Sequence, residues 1–460
     1  MRKARICLAA FLICMSTLAA TGCKEQESSY KSLDSATAAE VAQIASEDSR
    51  LTGELENKKI KWMATWDINP DSTGKATPIE LEIFKSRYGG EIEYYNVDFN
   101  TRYESLAMAV AGGEGIDFFS ANDLDAFPRG AIKEMFVPID DYIDFNDPLF
   151  AGIKDTADLF QWNGKHYVLV NDVTGDNCVV IYNRDTIEEN GLEDPAKLFA
   201  EGKWDWNAFQ NQLKQFVDVD NEQYGIDGWW YEGGLSATCG VPYIGIENGK
   251  LVNNLKDPAI ERLQNWMYDM GVLNYVCVDE NGWKEMPTNI GEGKELYYPC
   301  GAWALFKEKS QWSAEFGENV MFVPMPKDPN ADQYYIPCGL DGYMMVKNGQ
   351  NPEGVAKFAA CKRMAITNER AAEIGTEQLA KDYGWTDEMV QMLHKCHEMA
   401  KANTHYDFYN AVSTDVSDIL DSNDLGGIRS ASKGMNKWSE SVGAVYSAID
   451  AYIDEYNSKQ

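Results

Sequence analysis

The first well-patterned part of the chain alternates strand-like and helix-like segments. Apolar residues occupy every second position from Ile60 to Trp66, which is typical of a strand, and recur at helical spacing from Leu81 to Tyr88. A second strand and a second helix follow, and the apolar run at residues 116–119 adds a third strand. Because each helix connects two strands, this segment predicts a parallel sheet with right-handed crossovers.

The same α/β pattern continues to the end of the chain. Asp205, Asp257 and Asn351 each precede an amphipathic segment, which predicts that they cap helices. Strand-like runs lie between these helices, and residues 386–456 have a mainly helical pattern. The periodicity therefore predicts an α/β protein without internal repeats.

The N-terminus has the pattern of an export signal. Basic residues precede an apolar run from Ile6 to Leu18, and small residues lead to Cys23. Ala20-Thr21-Gly22-Cys23 resembles a bacterial lipobox, although such motifs usually carry Leu in place of Ala20. We therefore expect a signal peptide at residues 1–22, a lipid on Cys23 and a disordered polar tether over residues 23–57. Ordinary secretion with cleavage near Gly22 is the alternative.

The amino-acid composition limits the kinds of molecule that the protein can bind. The chain of 460 residues is 44% hydrophobic, which suits large buried cores, and its net charge of −32 disfavours binding to nucleic acid or to an anionic membrane surface. No segment after the signal has 18 consecutive apolar residues. Aromatic residues make up 12% of the chain and include 13 Trp, which suggests flat surfaces for a ligand.

The pattern of Cys and His predicts neither a metal site nor a cofactor. Ten Cys are present, three of them at or before the cleavage site, and the other seven are scattered without CxxC spacing. We expect these seven Cys to be buried thiols. The alternative is that they form one or two disulfide bonds. His394 and His397 share a helical face but lack further candidate ligands.

Four stretches of the chain, taken in order, resemble the sequence pattern of one protein family. They lie at residues 103–119, 136–143, 179–206 and 323–346, and the third contains Ile181-Tyr182-Asn183 followed by Trp204-Asp205-Trp206. The pattern is similar to that of extracellular solute-binding proteins of the carbohydrate-uptake type, which serve ATP-binding-cassette (ABC) importers.

This resemblance implies an α/β fold of the periplasmic-binding-protein type, with two lobes, a hinge and a ligand cleft between the lobes. We expect the chain to cross between lobes near residues 168–179 and 324–336. Lobe one would then comprise residues 58–170 plus 325–350, and lobe two residues 171–324 plus 351–460. Two independent domains in series are the alternative.

Candidate ligand contacts follow from the chemistry of sugars, which present apolar C–H faces and hydroxyl groups. Trp66 and Asp67 follow the first strand, and Asn122 and Asp123 follow the third, at the edge where open α/β sheets bind ligands. Alternatively, Trp66 faces the core of the sheet, and Asn122 or Asp123 caps a helix.

Further candidates lie in loops rich in glycine. Trp229, Trp230 and Tyr231 are consecutive, so they cannot all face one core, and at least one is expected to stack on the ligand. Trp303 resembles a Trp that lies near the sugar in the family. Asp341 lies between glycines just before a strand, where a simple turn residue is the alternative.

Together, these observations predict a monomeric, non-catalytic lipoprotein on the extracytoplasmic face of a bacterial cell membrane. It would capture an oligosaccharide and deliver it to the transmembrane permease of an ABC transporter. A binding protein for a peptide or a polyamine is the alternative within the same fold. A glycoside hydrolase or lyase is the enzymatic alternative, because the spacing of paired carboxylates depends on the fold and not on the sequence.

Overall fold

The computed structural model of the protein describes residues 33–69, 77–228, 231–276, 288–305, 315–421 and 433–459. Within these ranges, no helix combines the length and the apolar character that a bilayer-crossing helix needs. All structural statements below refer to this part of the chain.

Thirteen strands are present in the described ranges, and most are short. In chain order they are β1 (Lys59–Ala64), β2 (Glu91–Asn96), β3 (Phe118–Ser120), β4 (Gln161–Trp162), β5 (Lys165–His166), β6 (Leu169–Thr174), β7 (Val179–Asn183), β8 (Tyr224–Ile226), β9 (Ile244–Glu247), β10 (Lys250–Asn253), β11 (Glu295–Cys300), β12 (Val320–Pro324) and β13 (Gly339–Met345).

The helices alternate with these strands and then dominate the C-terminal part. They are α1 (Ser35–Glu47), α2 (Ile79–Tyr88), α3 (Arg102–Gly112), α4 (Arg129–Ile132), α5 (Lys154–Asp158), α6 (Arg184–Glu189), α7 (Pro195–Ala200), α8 (Trp206–Phe216), α9 (Tyr231–Ser236), α10 (Pro258–Val272), α11 (Thr288–Gly291), α12 (Pro352–Thr367), α13 (Glu369–Tyr383), α14 (Asp387–Ala402), α15 (Tyr409–Val412), α16 (Thr414–Asp421) and α17 (Trp438–Asn457).

The predicted helix caps are present. The side chains of Asp205, Asp257 and Asn351 each accept a hydrogen bond from a backbone N–H in the first turn of the following helix. Gly89 and Gly113 end α2 and α3 in the left-handed conformation, where glycine avoids the steric cost of a Cβ atom.

Two sheets organise the chain into two lobes. Lobe one is built on the five-stranded sheet β2-β1-β3-β13-β6, and lobe two on the four-stranded sheet β12-β7-β11-β8. β1 pairs in parallel with both β2 and β3, as the alternating pattern predicts, whereas β13 runs antiparallel to its neighbours. The predicted two-lobed α/β fold is confirmed.

Each sheet has a core of large side chains. In lobe one, Trp62 is fully buried between the rings of Phe118 and Tyr343, at centroid distances of 4.6 and 5.4 Å. In lobe two, every residue of β7 is buried, which explains its continuous apolar pattern. These closely packed cores make the sheets rigid supports for the loops at their edges.

Three connections join the lobes within the described ranges. Residues 175–178 connect β6 to β7, and residues 325–338 connect β12 to β13, in the two regions where the sequence predicts crossings. A third connection, residues 403–408, lies later in the chain than the return to lobe two at residue 351 that the predicted lobe bounds imply. It follows α14, and the hydroxyl of Tyr406 donates to the Gly339 carbonyl of lobe one, while the Phe408 N–H donates to Ile244 of lobe two.

The structure differs from the sequence prediction in two helical regions. α1 lies in the segment expected to be a disordered tether, but Val41 and Ala45 are buried and the helix packs against α2. α12 was assigned to lobe two, yet it packs against α2 and β1 of lobe one, with the ring of Phe358 at 5.4 Å from that of Phe84. Both helices have weak amphipathic patterns, so the packing partners cannot be identified from sequence.

Candidate functional site

A cleft of about 930 Å³ lies between the lobes. Its walls come from the loops after β2 and β3 in lobe one, and from α9, the turn after β11 and the α15–α16 region in lobe two. Pro337 and Cys338 of the second connection contribute to the lining. The cleft therefore has the position that the resemblance implies for a ligand site.

Asp125 organises the wall of lobe one. Its carboxylate accepts hydrogen bonds from the guanidinium of Arg102 and from the hydroxyl of Tyr103. Arg102 also donates to the backbone carbonyl of Phe99, and its guanidinium carbon lies 3.7 Å from the centroid of the Phe99 ring. Burial, followed by the charge of Asp125, raises the pKa of Tyr103 well above its usual value. These groups fix one another before a ligand arrives.

Asn122 and Asp123, both predicted from sequence, lie on the same wall. The Asn122 side-chain oxygen accepts a hydrogen bond of 3.2 Å from the Gly342 N–H, which holds the loop against β13. Asp123 is exposed and lines the cleft. Desolvation of its carboxyl group by the surrounding protein, followed by the charge of Asp125, raises the pKa of Asp123 to about 6.

Trp303 is the exposed aromatic residue of the opposite wall. It lies in a short 3-10 helix after β11, and 43% of its surface is exposed. Gly301, two residues earlier, leaves room for the ring, since a Cβ atom there would lie 2.1 Å from the indole Nε1 of Trp303 and would displace it. The N–H of Ala302 donates to the carbonyl of Asp176 at 2.9 Å, so this turn is attached to the first connection between the lobes.

Asp407 supports the other part of the lobe-two wall. Its carboxylate accepts hydrogen bonds from the backbone N–H groups of Tyr243, Ile244 and Tyr409, at 2.5, 3.2 and 3.1 Å. The hydroxyl of Tyr243 lies 2.6 Å from that of Ser236, which also lines the cleft. This carboxylate therefore holds the wall in place.

Several cleft residues were not identified from the sequence. Phe99, Arg102 and Tyr103 follow the end of β2, so the rule that identified Asn122 and Asp123 also applies to them. Asp407 and its neighbours enter the cleft through the third connection, and we find no sequence signal for them.

Four predicted residues are described but do not line this cleft. Trp66 is 39% exposed, with its ring 5.3 Å from that of Trp62, and Asp67 accepts from the Asn69 N–H at 2.9 Å. Tyr231 is buried.

Asp341, the fourth, belongs to a buried polar cluster behind the sheet of lobe one. Its carboxylate lies 2.9 Å from the Nζ of Lys362 and accepts from the Asn171 amide at 3.2 Å. Trp229, Trp230, Cys23 and Cys277 lie outside the described residues.

The helix α14 contacts the connections between the lobes. The Nδ1 atom of His397 accepts a hydrogen bond of 2.9 Å from the Gly175 N–H of the first connection. Gly175 has no room for a side chain, because its Cβ would lie 2.1 Å from the Cys396 carbonyl oxygen. Asn403, just after α14, donates to the Tyr334 carbonyl of the second connection at 3.4 Å. Burial lowers the pKa of His397, which keeps Nδ1 available as an acceptor at neutral pH.

The Cys residues lie in the protein interior. All six that the structure describes are buried, and burial raises the pKa of Cys239, Cys338, Cys361 and Cys396. In the described ranges, no three His, Cys, Asp or Glu side chains are grouped closely enough to hold a metal ion.

Comparison with solved structures identifies proteins of similar fold. A binding protein associated with an ABC transporter from B. animalis subsp. lactis, in complex with β-1,6-galactobiose, is 18% identical with a TM-score of 0.60, over 87% of this chain and 98% of that chain. The GacH receptor of Streptomyces glaucescens, solved unliganded and with acarbose, is 16% identical with a TM-score of 0.60, over 86% and 98%. A cyclo/maltodextrin-binding protein with maltotetraose is 15% identical with a TM-score of 0.58, over 88% and 98%.

Comparison with known sequences identifies the family. No curated protein sequence matches the chain at a significant level. The sequence profile of the bacterial extracellular solute-binding proteins matches residues 81–378, which is more than half of the chain and includes strands of both lobes. The chain therefore belongs to the family of bacterial extracellular solute-binding proteins.

Proposed function

We propose that the protein captures a carbohydrate, in particular an oligosaccharide, and delivers it to the permease of an ABC importer. The observation that carries this proposal is the cleft between the lobes, which has an exposed aromatic side chain on each wall. Phe99 is 52% exposed on the wall of lobe one, and Trp303 is 43% exposed on the wall of lobe two. The three structural relatives described above contain sugars or sugar-like ligands in complexes of the same fold.

The size of the cleft supports an oligosaccharide. Ligand pockets generally measure about 300–1,000 Å³, and this cleft, at about 930 Å³, lies near the upper end of that range. A single hexose would leave most of it filled with water, whereas several linked sugar rings would contact both walls.

The chemistry of the lining also supports a neutral, polar ligand. The half-buried charges of Asp125 and Asp407 are already compensated by Arg102 and by backbone N–H groups, respectively. Asn122 and Ser236 line the same space and offer amide and hydroxyl groups, which suit the hydroxyls of a sugar. A strongly charged ligand would need unpaired charges of one sign, and the lining residues Asp123, Asp418, Arg129 and Lys133 carry both signs.

Among the predicted contacts, we propose that Asn122, Asp123 and Trp303 touch the ligand, since all three line the cleft. Trp229 and Trp230 stay predictions, because they lie outside the described residues. The surroundings of Trp66, Asp67, Tyr231 and Asp341 favour a structural role for these four residues.

We further propose that the mature protein is a monomeric lipoprotein without catalytic activity, held at the outer face of the cell membrane by a lipid on Cys23. The signal-like N-terminus and the lipobox-like Ala20-Thr21-Gly22-Cys23 support the anchor. Since α1 packs against α2 of lobe one, Ser35–Glu47 belongs to the folded protein and not to the proposed tether.

A thermal-shift screen tests the proposed ligand class. Ligand at about 100 times its Kd stabilises the folded state by about 2.7 kcal/mol, which raises the Tm by several degrees. We expect oligosaccharides to raise the Tm and amino acids, peptides and polyamines to leave it unchanged. Stabilisation by polyamines alone would contradict the carbohydrate proposal. Any sugar that binds should also be recovered unchanged by chromatography after hours of incubation, whereas multiple turnovers would indicate an enzyme.

A further inference from the structure

Phe99 is an exposed aromatic residue in a fixed position. It begins a 3-10 turn, Phe99–Thr101, directly after the strand β2 and its two-residue extension. Asp98 caps this turn by accepting a hydrogen bond of 2.9 Å from the Asn100 N–H. The Phe99 side chain is nevertheless 52% exposed and lines the cleft. Because this exposed ring lies inside the cleft, a ligand there can cover its apolar surface.

Arg102 supports the Phe99 ring from behind. The guanidinium carbon lies 3.7 Å from the ring centroid, which is a stacking distance, and Arg102 itself is buried. The guanidinium donates hydrogen bonds to the Asp125 carboxylate and to the Phe99 carbonyl, and the hydroxyl of Tyr103 donates to the same carboxylate. One face of the ring is therefore covered, so the exposed half is its opposite face and its edge.

We propose that Phe99 is a stacking platform on lobe one for a neutral sugar ring of the ligand, with Arg102 as the positioning residue that fixes the platform. This inference rests on the proposed carbohydrate-binding function. Because the ring is already immobilised, stacking costs little conformational entropy. Because a cation occupies the covered face, a second cation on the open face would be repelled. The platform therefore favours the C–H face of a neutral sugar over a polyamine.

Phe99 and Trp303 lie on opposite walls of the cleft, so the ligand would meet an aromatic surface from each lobe. A ligand that first stacks on Phe99 would gain the Trp303 contact when the lobes approach each other. Such a contact favours the closed state by as much as it is stronger there than in the open state.

The test compares Phe99→Ala with matched variants, by calorimetric titration of a sugar that binds the wild-type protein. Phe99→Ala should weaken binding by about 10-fold or more, as expected for an aromatic hot spot. Phe99→Trp, which retains a flat ring, should stay within about 3-fold of the wild type, whereas Phe99→Leu should resemble the Ala variant. Tyr142→Ala is the control, because Tyr142 is 40% exposed but does not line the cleft. It should leave the affinity unchanged.

Unfolding curves without sugar accompany these titrations. A structural role for Phe99 predicts that Phe99→Ala lowers the Tm and that Phe99→Leu restores both the Tm and the affinity. That result, or wild-type affinity of Phe99→Ala, overturns the inference while the carbohydrate-binding function stands. If no carbohydrate binds the wild-type protein, the proposed function fails and the inference fails with it.

Discussion

The exposed indole of Trp303 should supply a large part of the binding free energy. Trp303 exposes 43% of its surface in the cleft, which is about 110 Å² if a Trp side chain has about 250 Å². Complete coverage of this area by a ligand is worth about 3 kcal/mol at about 25 cal/mol per Å². Trp303→Ala should therefore weaken binding of the sugar by about 100-fold.

The assay combines calorimetric titration with denaturant unfolding of the same samples. The free energy of unfolding should fall by less than the 3–5 kcal/mol or so that truncation of a core Trp costs. Trp438→Ala provides that comparison, because Trp438 is 1% exposed in lobe two and its Nε1 donates to the Leu255 carbonyl. The Trp438 variant should lose stability but keep its affinity while it is folded. Wild-type affinity of Trp303→Ala would refute the placement of the ligand against this wall.

Two further predictions concern pH. The pKa of Asp123 is about 6 in the folded protein, above its usual value of 3.8, so stability is lost as the pH rises between these values. Asp123→Asn should therefore raise the Tm at pH 7 and leave it unchanged below pH 3.8. The same variant should bind the sugar more weakly at pH 7. An unchanged Tm at pH 7 would contradict this reasoning. Burial lowers the pKa of His397 below 6.5, so stability is lost as the pH falls through the lowered value. The Gln side chain of His397→Gln cannot titrate, so the Tm of this variant should fall less than that of the wild type between pH 7 and about pH 5. An equal fall in Tm would exclude His397 as the titrating group.

Much of the fold could be predicted because strong local signals coincide with strong packing. The alternation from Ile60 to Trp66 corresponds to β1, and the caps at Asp205, Asp257 and Asn351 are present. The α1 segment was assigned to the disordered tether because its stability comes from tertiary packing, with only Val41 and Ala45 buried, and not from a broad apolar stripe. The local sequence also does not indicate the third connection between the lobes, since its contacts join residues that are far apart in sequence.

The candidate site could be predicted only where one rule applies. Asn122 and Asp123 lie in the cleft because they follow a parallel strand, and the same rule applied to β2 would have identified Phe99. Asp341 was predicted as a ligand contact on a weaker criterion, its position beside glycines. In the structure it forms an ion pair with Lys362 and does not line the cleft. That partner lies 21 residues later on α12, and no local pattern indicates that the two side chains meet.

Hydrogen–deuterium exchange with and without the bound sugar tests the central claim most directly, because it locates the ligand on the chain. We predict that the sugar slows exchange on both walls of the cleft, at residues 99–104 and 122–125 of lobe one and at residues 301–305 and 405–418 of lobe two. Protection confined to one lobe, or found only outside these segments, would contradict a carbohydrate held between the two lobes.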